Sequence, residues 1–203
     1  MPVSKLSDSL TGSGSKKKYQ SFLAGNAAQT PNAWDSISTT TLGSSQTTVT
    51  FTIPQTYGHL RFHICAKTTD TVNSLTDNLS MNFNSDSASN YTRQYLVVNN
   101  GSIAVGSSIS NSVAYCGTVP RSHTNLTSHF GFSVIEILDY QLANKYKTWR
   151  SYQTFDANLS GPASLGIQSG MWRNTAAITS VSFTAPSGNF AAGSVFSLYG
   201  LKG

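Results

Sequence analysis

From residue 34 onwards, short runs of alternating apolar and polar residues are separated by Gly, Ser, Asn and Pro. In the run 47–53, the side chains of Val49, Phe51 and Ile53 point to one side of an extended chain, and the intervening threonines point to the other. Short runs of this kind are typical of an antiparallel sandwich or barrel. The side chains expected in its core are Val49, Phe51, Leu60, Phe62, Ile64, Val181, Phe183, Phe196 and Leu198.

The same patterning predicts eleven strands, which suffice for two packed antiparallel sheets. Turn signals separate them, because residues 54–58 include Pro and Gly, and residues 99–101 read Asn-Asn-Gly, which tolerates positive φ. The fold class expected is all-β, an antiparallel β-sandwich with a jelly-roll-like arrangement. The predicted strands are 35–42, 47–53, 59–67, 79–83, 91–98, 112–118, 130–138, 145–154, 163–168, 178–184 and 194–201.

Residues 1–33 lack this alternation of apolar and polar residues. They are predicted to form an extended N-terminal arm that precedes a sandwich domain at 34–203. Residues 12–15 read Gly-Ser-Gly-Ser, which is linker chemistry, and one short apolar pair, Phe22 and Leu23, is too small to build a core. We expect this pair to insert into a groove of another chain. Rim contacts with an acidic surface are expected from Lys16, Lys17 and Lys18.

The amino-acid composition and charge exclude some classes of partner. Only 10% of the residues are charged, whereas Ser and Thr make up 55 of 203, so the surface is neutral and rich in hydrogen-bonding groups. The net charge of +5 is partly concentrated in the triple lysine, and we do not expect nucleic acid to be a partner. No apolar stretch approaches a membrane span or a signal sequence, which predicts a protein made in a cytoplasm without a membrane partner.

Candidate catalytic and metal sites are weak. Cys65 and Cys116 lie far apart and are expected to be unpaired, buried thiols. His59 and His63 share one side of a strand but are about 13 Å apart along it, too far to hold one metal ion. Because there is also no nucleophile elbow, neither a cofactor nor an enzymatic activity is expected.

Aromatic rings and cations cluster in the C-terminal half of the chain. Rings beside cations can form stacking platforms for sugars or single-stranded nucleic acid. Alternatively, half of the rings fill the sandwich core and the rest form subunit contacts. The rings proposed for glycan or subunit contact are Tyr140, Tyr146, Trp149, Tyr152 and Trp172, with Lys145, Lys147, Arg150 and Arg173 near them in sequence.

Five segments of the predicted domain carry a resemblance to a known group of proteins. They are IPQTYGHLR at 53–61, FNSDSASNY at 83–91, DYQLANKYKT at 139–148, WRNTAAIT at 172–179, and GNFAAGS at 188–194 leading into LYGLK at 198–202. In this order, the segments resemble a domain of structural proteins of tailed bacteriophages, especially phages of aquatic bacteria. The resemblance implies a β-rich virion component of the head surface, tail fibre or baseplate, with no catalytic residues to carry over.

Three functions are consistent with these observations. The first is a non-enzymatic virion protein, assembled in the host cytoplasm, that serves as a capsid decoration or cement subunit. Its partners would be other virion proteins, such as the major capsid or tail proteins, and it would form a homo-oligomer. The second is a tail-fibre or baseplate subunit that binds a host surface glycan, and the third is a free lectin-like binding protein.

Overall fold

A computed structural model describes residues 34–71, 76–122, 128–156 and 163–202 of the chain. These residues contain twelve strands in two antiparallel sheets and no helix, so the predicted all-β sandwich is confirmed. The predicted arm at 1–33, including Lys16, Lys17, Lys18, Phe22 and Leu23, lies outside the described residues. The strands are β1 Trp34–Thr41, β2 Thr48–Thr52, β3 His59–Ala66, β4 Thr76–Phe83, β5 Tyr91–Asn99, β6 Ser102–Asn111, β7 Ala114–Pro120, β8 Gly131–Ile137, β9 Lys147–Asp156, β10 Ala163–Trp172, β11 Ser180–Thr184 and β12 Val195–Leu201.

The order of eight of these strands identifies a jelly roll. Strands β1-β12-β3-β8 lie side by side in one sheet, and β2-β11-β4-β7 form the other. Along the chain, successive members of this set cross from one sheet to the other, except that β4 and β7 are neighbours in the same sheet. This connectivity is that of two Greek keys, and it confirms the jelly-roll-like arrangement.

Two inserted hairpins widen one sheet. Hairpin β9–β10 lies between β8 and β11 in sequence, and hairpin β5–β6 lies between β4 and β7. They pair beyond β8 in the order β9-β10-β5-β6, so one sheet has eight strands and the other has four. We refer to these four added strands as the extension.

Strand β6 is absent from the sequence-based prediction, which gave eleven strands where the described residues contain twelve. The turn before it was predicted correctly. Asn100 and Gly101 have φ of 51° and 77°, as a type I′ hairpin requires. The strand itself was missed because it is rich in Ser and lies at the sheet edge, where its apolar residues are exposed. Ile103 and Val105, which alternate with small residues, were the available signal.

The core lies between the two sheets and matches the prediction from period-two alternation. All nine predicted core side chains are buried, with no more than 4% of their surface exposed. The ring of Phe62 contacts those of Phe51 and Phe183 edge-on, at centroid distances of 5.5 Å and 5.0 Å. These three strands, β2, β3 and β11, therefore hold the two sheets together through one aromatic cluster.

Both cysteines are unpaired, as predicted, but only one is buried. Cys116 faces the core, where burial raises the pKa of its thiol. Cys65 is exposed, so the prediction of two buried thiols is wrong for this residue. The reason is its place in β3, where it falls on the opposite side from Leu60, Phe62 and Ile64.

The aromatic cluster yields a direct test of core packing. Phe62→Ala should lower the free energy of unfolding by about 3–5 kcal/mol, because it removes a fully buried ring and leaves a cavity between the sheets. Urea denaturation followed by circular dichroism measures the change. The control Thr48→Ala, at an exposed position of β2, should stay within about 0.5 kcal/mol, and equal effects of the two variants would contradict this core assignment.

Candidate functional site

Four of the five segments that carry the phage resemblance meet at one end of the sandwich, in the connections that follow β2, β4, β8 and β10. Asn84, directly after β4, bridges two of them. Its side-chain oxygen accepts hydrogen bonds from the backbone N–H of Thr179 at 2.8 Å and of Ser180 at 3.2 Å, and its amide nitrogen donates to the carbonyl of Ala177 at 2.8 Å. Asn84 also has φ of 52°, a conformation that Asn tolerates better than most residues.

Asp86 anchors the same loop to the core. Its carboxylate accepts hydrogen bonds from the indole Nε1 of Trp172 at 2.7 Å, the amide of Asn90 at 2.9 Å and the backbone N–H of Ala88 at 2.8 Å. Burial alone would raise the pKa of Asp86, but these hydrogen bonds outweigh it and lower the pKa below its usual value. The ring of Trp172 stacks on Tyr91 within the core.

The segment 139–148 is fixed in a similar way. The hydroxyl of the buried Tyr140 donates to the carbonyl of Pro54, which ties this loop to the one after β2. Lys147 has no exposed surface, and its ammonium donates to three backbone carbonyls, among them those of Leu142 and Thr175. Burial lowers the pKa of Lys147, and the carbonyls satisfy its donors. These motif residues therefore close the end of the sandwich rather than line an open site.

The five aromatic residues proposed for glycan or subunit contact do not form one surface. Tyr140, Trp149 and Trp172 have at most 2% of their surface exposed, so their assignment as ligand or subunit contacts is wrong. Tyr146 and Tyr152 are about half exposed, at 50% and 46%. The division follows from β9, whose alternation turns Trp149 inward and Tyr152 outward. It agrees with the alternative that part of the rings fill the core.

An ion cluster crosses the outer side of the eight-stranded sheet. Arg61 of β3, Glu136 of β8 and Arg150 of β9 are paired in register, and both arginines donate to the single glutamate. Trp34 covers the Arg61 guanidinium at 4.2 Å. Burial would raise the pKa of Glu136, but the two arginines outweigh it and hold the pKa below its usual value.

The other described acids are also engaged. Asp139 pairs with Lys145 and lies 3.6 Å from His59, and Arg121 lies 3.0 Å from Asp70 and 3.5 Å from Asp77. Asp35 pairs with Lys202 at 3.4 Å. Such pairs fix the loops and strand ends to one another.

The histidines of β3 also have local partners. His59 accepts a hydrogen bond from the backbone N–H of Asp139 at 3.0 Å, and His63 packs between Phe132 and Tyr199. Burial, followed by the charge of Arg61, lowers the pKa of His63. Within the described ranges, no three His, Cys, Asp or Glu side chains are grouped to hold a metal ion.

The extension has a polar inner side. Arg93 of β5 donates to Gln168 of β10 at 2.7 Å, Gln168 donates to Gln153 of β9 at 2.6 Å, and Gln153 donates to Thr118 of β7 at 2.8 Å. Arg93 also lies over the ring of Tyr95, at 4.4 Å. This chain of hydrogen bonds joins the extension to β7, the edge strand of the smaller sheet.

The outer side of the extension is apolar. Strand register places Val105, Leu96, Ile167 and Tyr152 in one row across β6, β5, β10 and β9, and Ile103, Val98 and Leu165 in the adjacent row. Phe132 of β8 continues the second row beyond Thr154. We name this surface the apolar outer face. Its most exposed members are Leu96 at 46%, Ile103 at 71%, Val105 at 70%, Phe132 at 42%, Tyr152 at 46%, Leu165 at 61% and Ile167 at 50%.

The smaller sheet shows that this apolar surface is a local feature of the extension. On the outer side of β2 and β11 the residues are Thr and Ser, and Thr50 shares a hydrogen bond of 2.9 Å with Ser182. That side has the composition of an ordinary solvated sheet face. The extension differs, because aliphatic side chains cover its outer side while its inner side combines amides with the buried rings of Trp149 and Trp172.

A shallow groove of about 420 Å³ borders the apolar outer face, between β5, β6, β9 and β10. Six of its ten lining residues have hydroxyl or amide side chains, among them Gln94, Ser107 and Ser169. Trp149 reaches it beneath Gly170, where a Cβ atom would lie 2.5 Å from the indole ring.

The sequence analysis missed both the apolar outer face and the groove. In β10, Leu165 and Ile167 alternate with Ser164, Gly166 and Gln168, a pattern that the usual rule reads as an apolar inner side. The sequence does contain one signal of this face. It has more runs of alternating apolar residues than a single core can bury.

Compared with known proteins, the chain matches no family model and no curated protein. In the part of the chain that the structure describes, no helix is long and apolar enough to cross a membrane.

The role of Asn84 can be separated into its hydrogen bonds and its backbone conformation. Asn84→Gly should lower the free energy of unfolding by about 2 kcal/mol, because the loop hydrogen bonds are lost while positive φ stays accessible. Asn84→Ala should cost about 1 kcal/mol more, since Ala is strained at this φ. Urea denaturation of both variants measures the difference. If Ala proved as stable as Gly, the conformational part of the explanation would fail.

The ion cluster predicts a pH dependence. Because the pKa of Glu136 is lowered in the folded protein, the carboxylate stabilises the fold at neutral pH, and this contribution is lost as pH falls below its usual value of 4.5. Glu136→Gln should therefore cost about 2 kcal/mol at pH 7 and much less at pH 3.

Thermal denaturation across this pH range tests the prediction. The control Asp35→Asn removes a pair whose Lys202 is 54% exposed, and it should change stability by less than about 1 kcal/mol. A loss for Glu136→Gln that stays constant with pH would argue against the carboxylate as its source.

Proposed function

We propose that this chain is a non-enzymatic structural subunit of a tailed-phage virion, most closely a decoration or cement subunit of the outer capsid, anchored by residues 1–33. The observation that carries the proposal is the apolar outer face. A solvated monomer rarely exposes a contiguous surface of this size, and such surfaces mark sites where other subunits bind. A subunit that stabilises a shell by adding buried interface between neighbours needs a surface of this kind.

The loop end of the sandwich also supports an assembly role. The residues of the phage-like segments close the sandwich by hydrogen bonds to one another, as Asn84, Asp86 and Tyr140 illustrate. The carboxylates Glu136 and Asp139 are paired with cations, and a general acid or base in either position would have to give up these contacts. This distribution suits a rigid particle component whose surface interactions are non-covalent.

A second candidate function is a tail-fibre or baseplate subunit that binds a host surface glycan. The groove beside the apolar outer face favours it, because Gln94, Ser107 and Ser169 offer neutral hydrogen-bonding groups there. Hydroxyl and amide groups of this kind can fix the orientation of a sugar. The two candidates differ in where the subunit sits, which antibody labelling of intact particles by electron microscopy distinguishes. Label on the head supports decoration, and label on the tail supports glycan recognition.

Incorporation into particles tests the anchoring role of the arm. In the full chain, the double variant Phe22→Ala and Leu23→Ala should reduce the copies per purified particle more than neutralising Lys16, Lys17 and Lys18, because apolar anchors contribute more than rim charges. Deleting residues 1–33 should abolish incorporation and leave the sandwich folded, as judged by circular dichroism.

Two outcomes would count against the proposal. If the full chain is absent from purified particles, it is not a virion subunit. If the truncated chain occupies particles at the normal copy number, the sandwich alone carries the attachment and the arm has no anchoring role.

A further inference from the structure

We propose that the apolar outer face binds a second copy of this chain, so that two sandwiches pack with the outer sides of their extensions against each other. This inference rests on the proposed function as an assembly subunit and specifies the partner of one surface. The residues that would lie at its centre are Leu96, Ile103, Val105, Leu165 and Ile167.

The charge pattern favours a copy of the same chain. In a two-fold contact, each surface meets itself, so any net charge on it would face an identical charge. From β6 to β9, the two rows of the apolar outer face contain only uncharged side chains, and β6 has no charged residue over its ten positions. Charged residues begin in the adjacent rows, with Arg150 and Glu136 on one side and Asp156 on the other. A surface without charge meets its own copy without repulsion.

The size of the surface matches a stable pair. Seven side chains that are 42–71% exposed present on the order of 700 Å² of apolar area per copy, close to the roughly 800 Å² that each partner buries in an interface of standard size. Interfaces of homodimers are richer in apolar surface than other interfaces. The composition of this face, which is aliphatic with Tyr152 and Phe132 at one side, fits that class.

The geometry is one that sheets use within single domains. Two sheet faces pack about 10 Å apart with their strands nearly aligned, and aliphatic side chains from both interdigitate. In this protein the inner side of the extension is already occupied by the hydrogen bonds of Arg93, Gln168 and Gln153, so its amides take no part in such packing. The outer side offers the aliphatic layer that a second sheet requires.

The oligomeric state of the isolated full chain tests the inference. Sedimentation velocity at micromolar concentration should give the mass of a dimer. Ile167→Asp should weaken association by about a hundredfold or more, because each interface would bury unpaired carboxylates. The matched control is Ser182→Asp, which places the same charge on the outer side of the smaller sheet and should leave the dimer intact. Circular dichroism and the melting temperature show that both variants remain folded.

A mixing experiment adds a test of self-contact. Ile167→Asp and Ile167→Lys should each be monomeric alone, and the mixture should regain association, since opposite charges then meet across the interface. A monomeric wild-type chain, or a dimer that Ile167→Asp does not weaken, overturns the inference. These results leave the virion proposal standing if the chain is found in particles, whereas a dimer absent from particles removes that proposal and keeps the dimer interface.

Discussion

The difference in width between the two sheets governs the rest of this structure. A four-stranded sheet can cover only four strands of the sheet packed on it, and here those four are β1, β12, β3 and β8. The Phe51, Phe62 and Phe183 cluster fills the space between these matched halves. Strands β9, β10 and β5 extend past the smaller sheet and reach its edge strand β7 through the layer of Arg93, Gln168, Gln153 and Thr118. At the loop end, Tyr91 of β5 and Trp172 of β10 also contact Phe83 of β4. A polar layer satisfies its own donors and acceptors without needing the depth of an apolar core.

Side chains in a strand alternate between two faces. Where Gln168 and Gln153 face inward and join the hydrogen-bonded layer, Ile167 of β10 therefore faces outward. The apolar outer face is thus linked to the hydrogen-bonded inner layer by the geometry of the strand. In β3, one of the four jelly-roll strands of this sheet, apolar side chains face inward and polar ones face outward. Leu60 and Ile64 lie inside and Arg61 lies outside. One sheet therefore combines a part whose outer side is polar or charged and a part whose outer side is apolar.

The fold was largely predictable from the sequence because most strands follow one rule. Alternation located Val49, Phe51 and the other core residues, and the Asn-Gly turn before β6 was recognised. Two residues that were placed by residue type or by sequence neighbours, and not by strand parity, were placed wrongly, as the exposed Cys65 and the buried Trp149 show. The apolar outer face could not be predicted, because a run such as Leu165-Gly166-Ile167 has the same pattern whether its apolar side faces a core or the protein surface. Only the tertiary pairing of β10 with β9 and β5 decides between them.

The exposed edge of strand β6 favours aggregation of the isolated chain. It is an edge strand of ten residues, and it lacks the Lys or Pro that natural edge strands often use to block further strand addition. Until a second copy covers the aliphatic rows, this edge and the rows beside it are open to irregular pairing between molecules. Because such pairing increases with concentration, purification should succeed best in dilute solution.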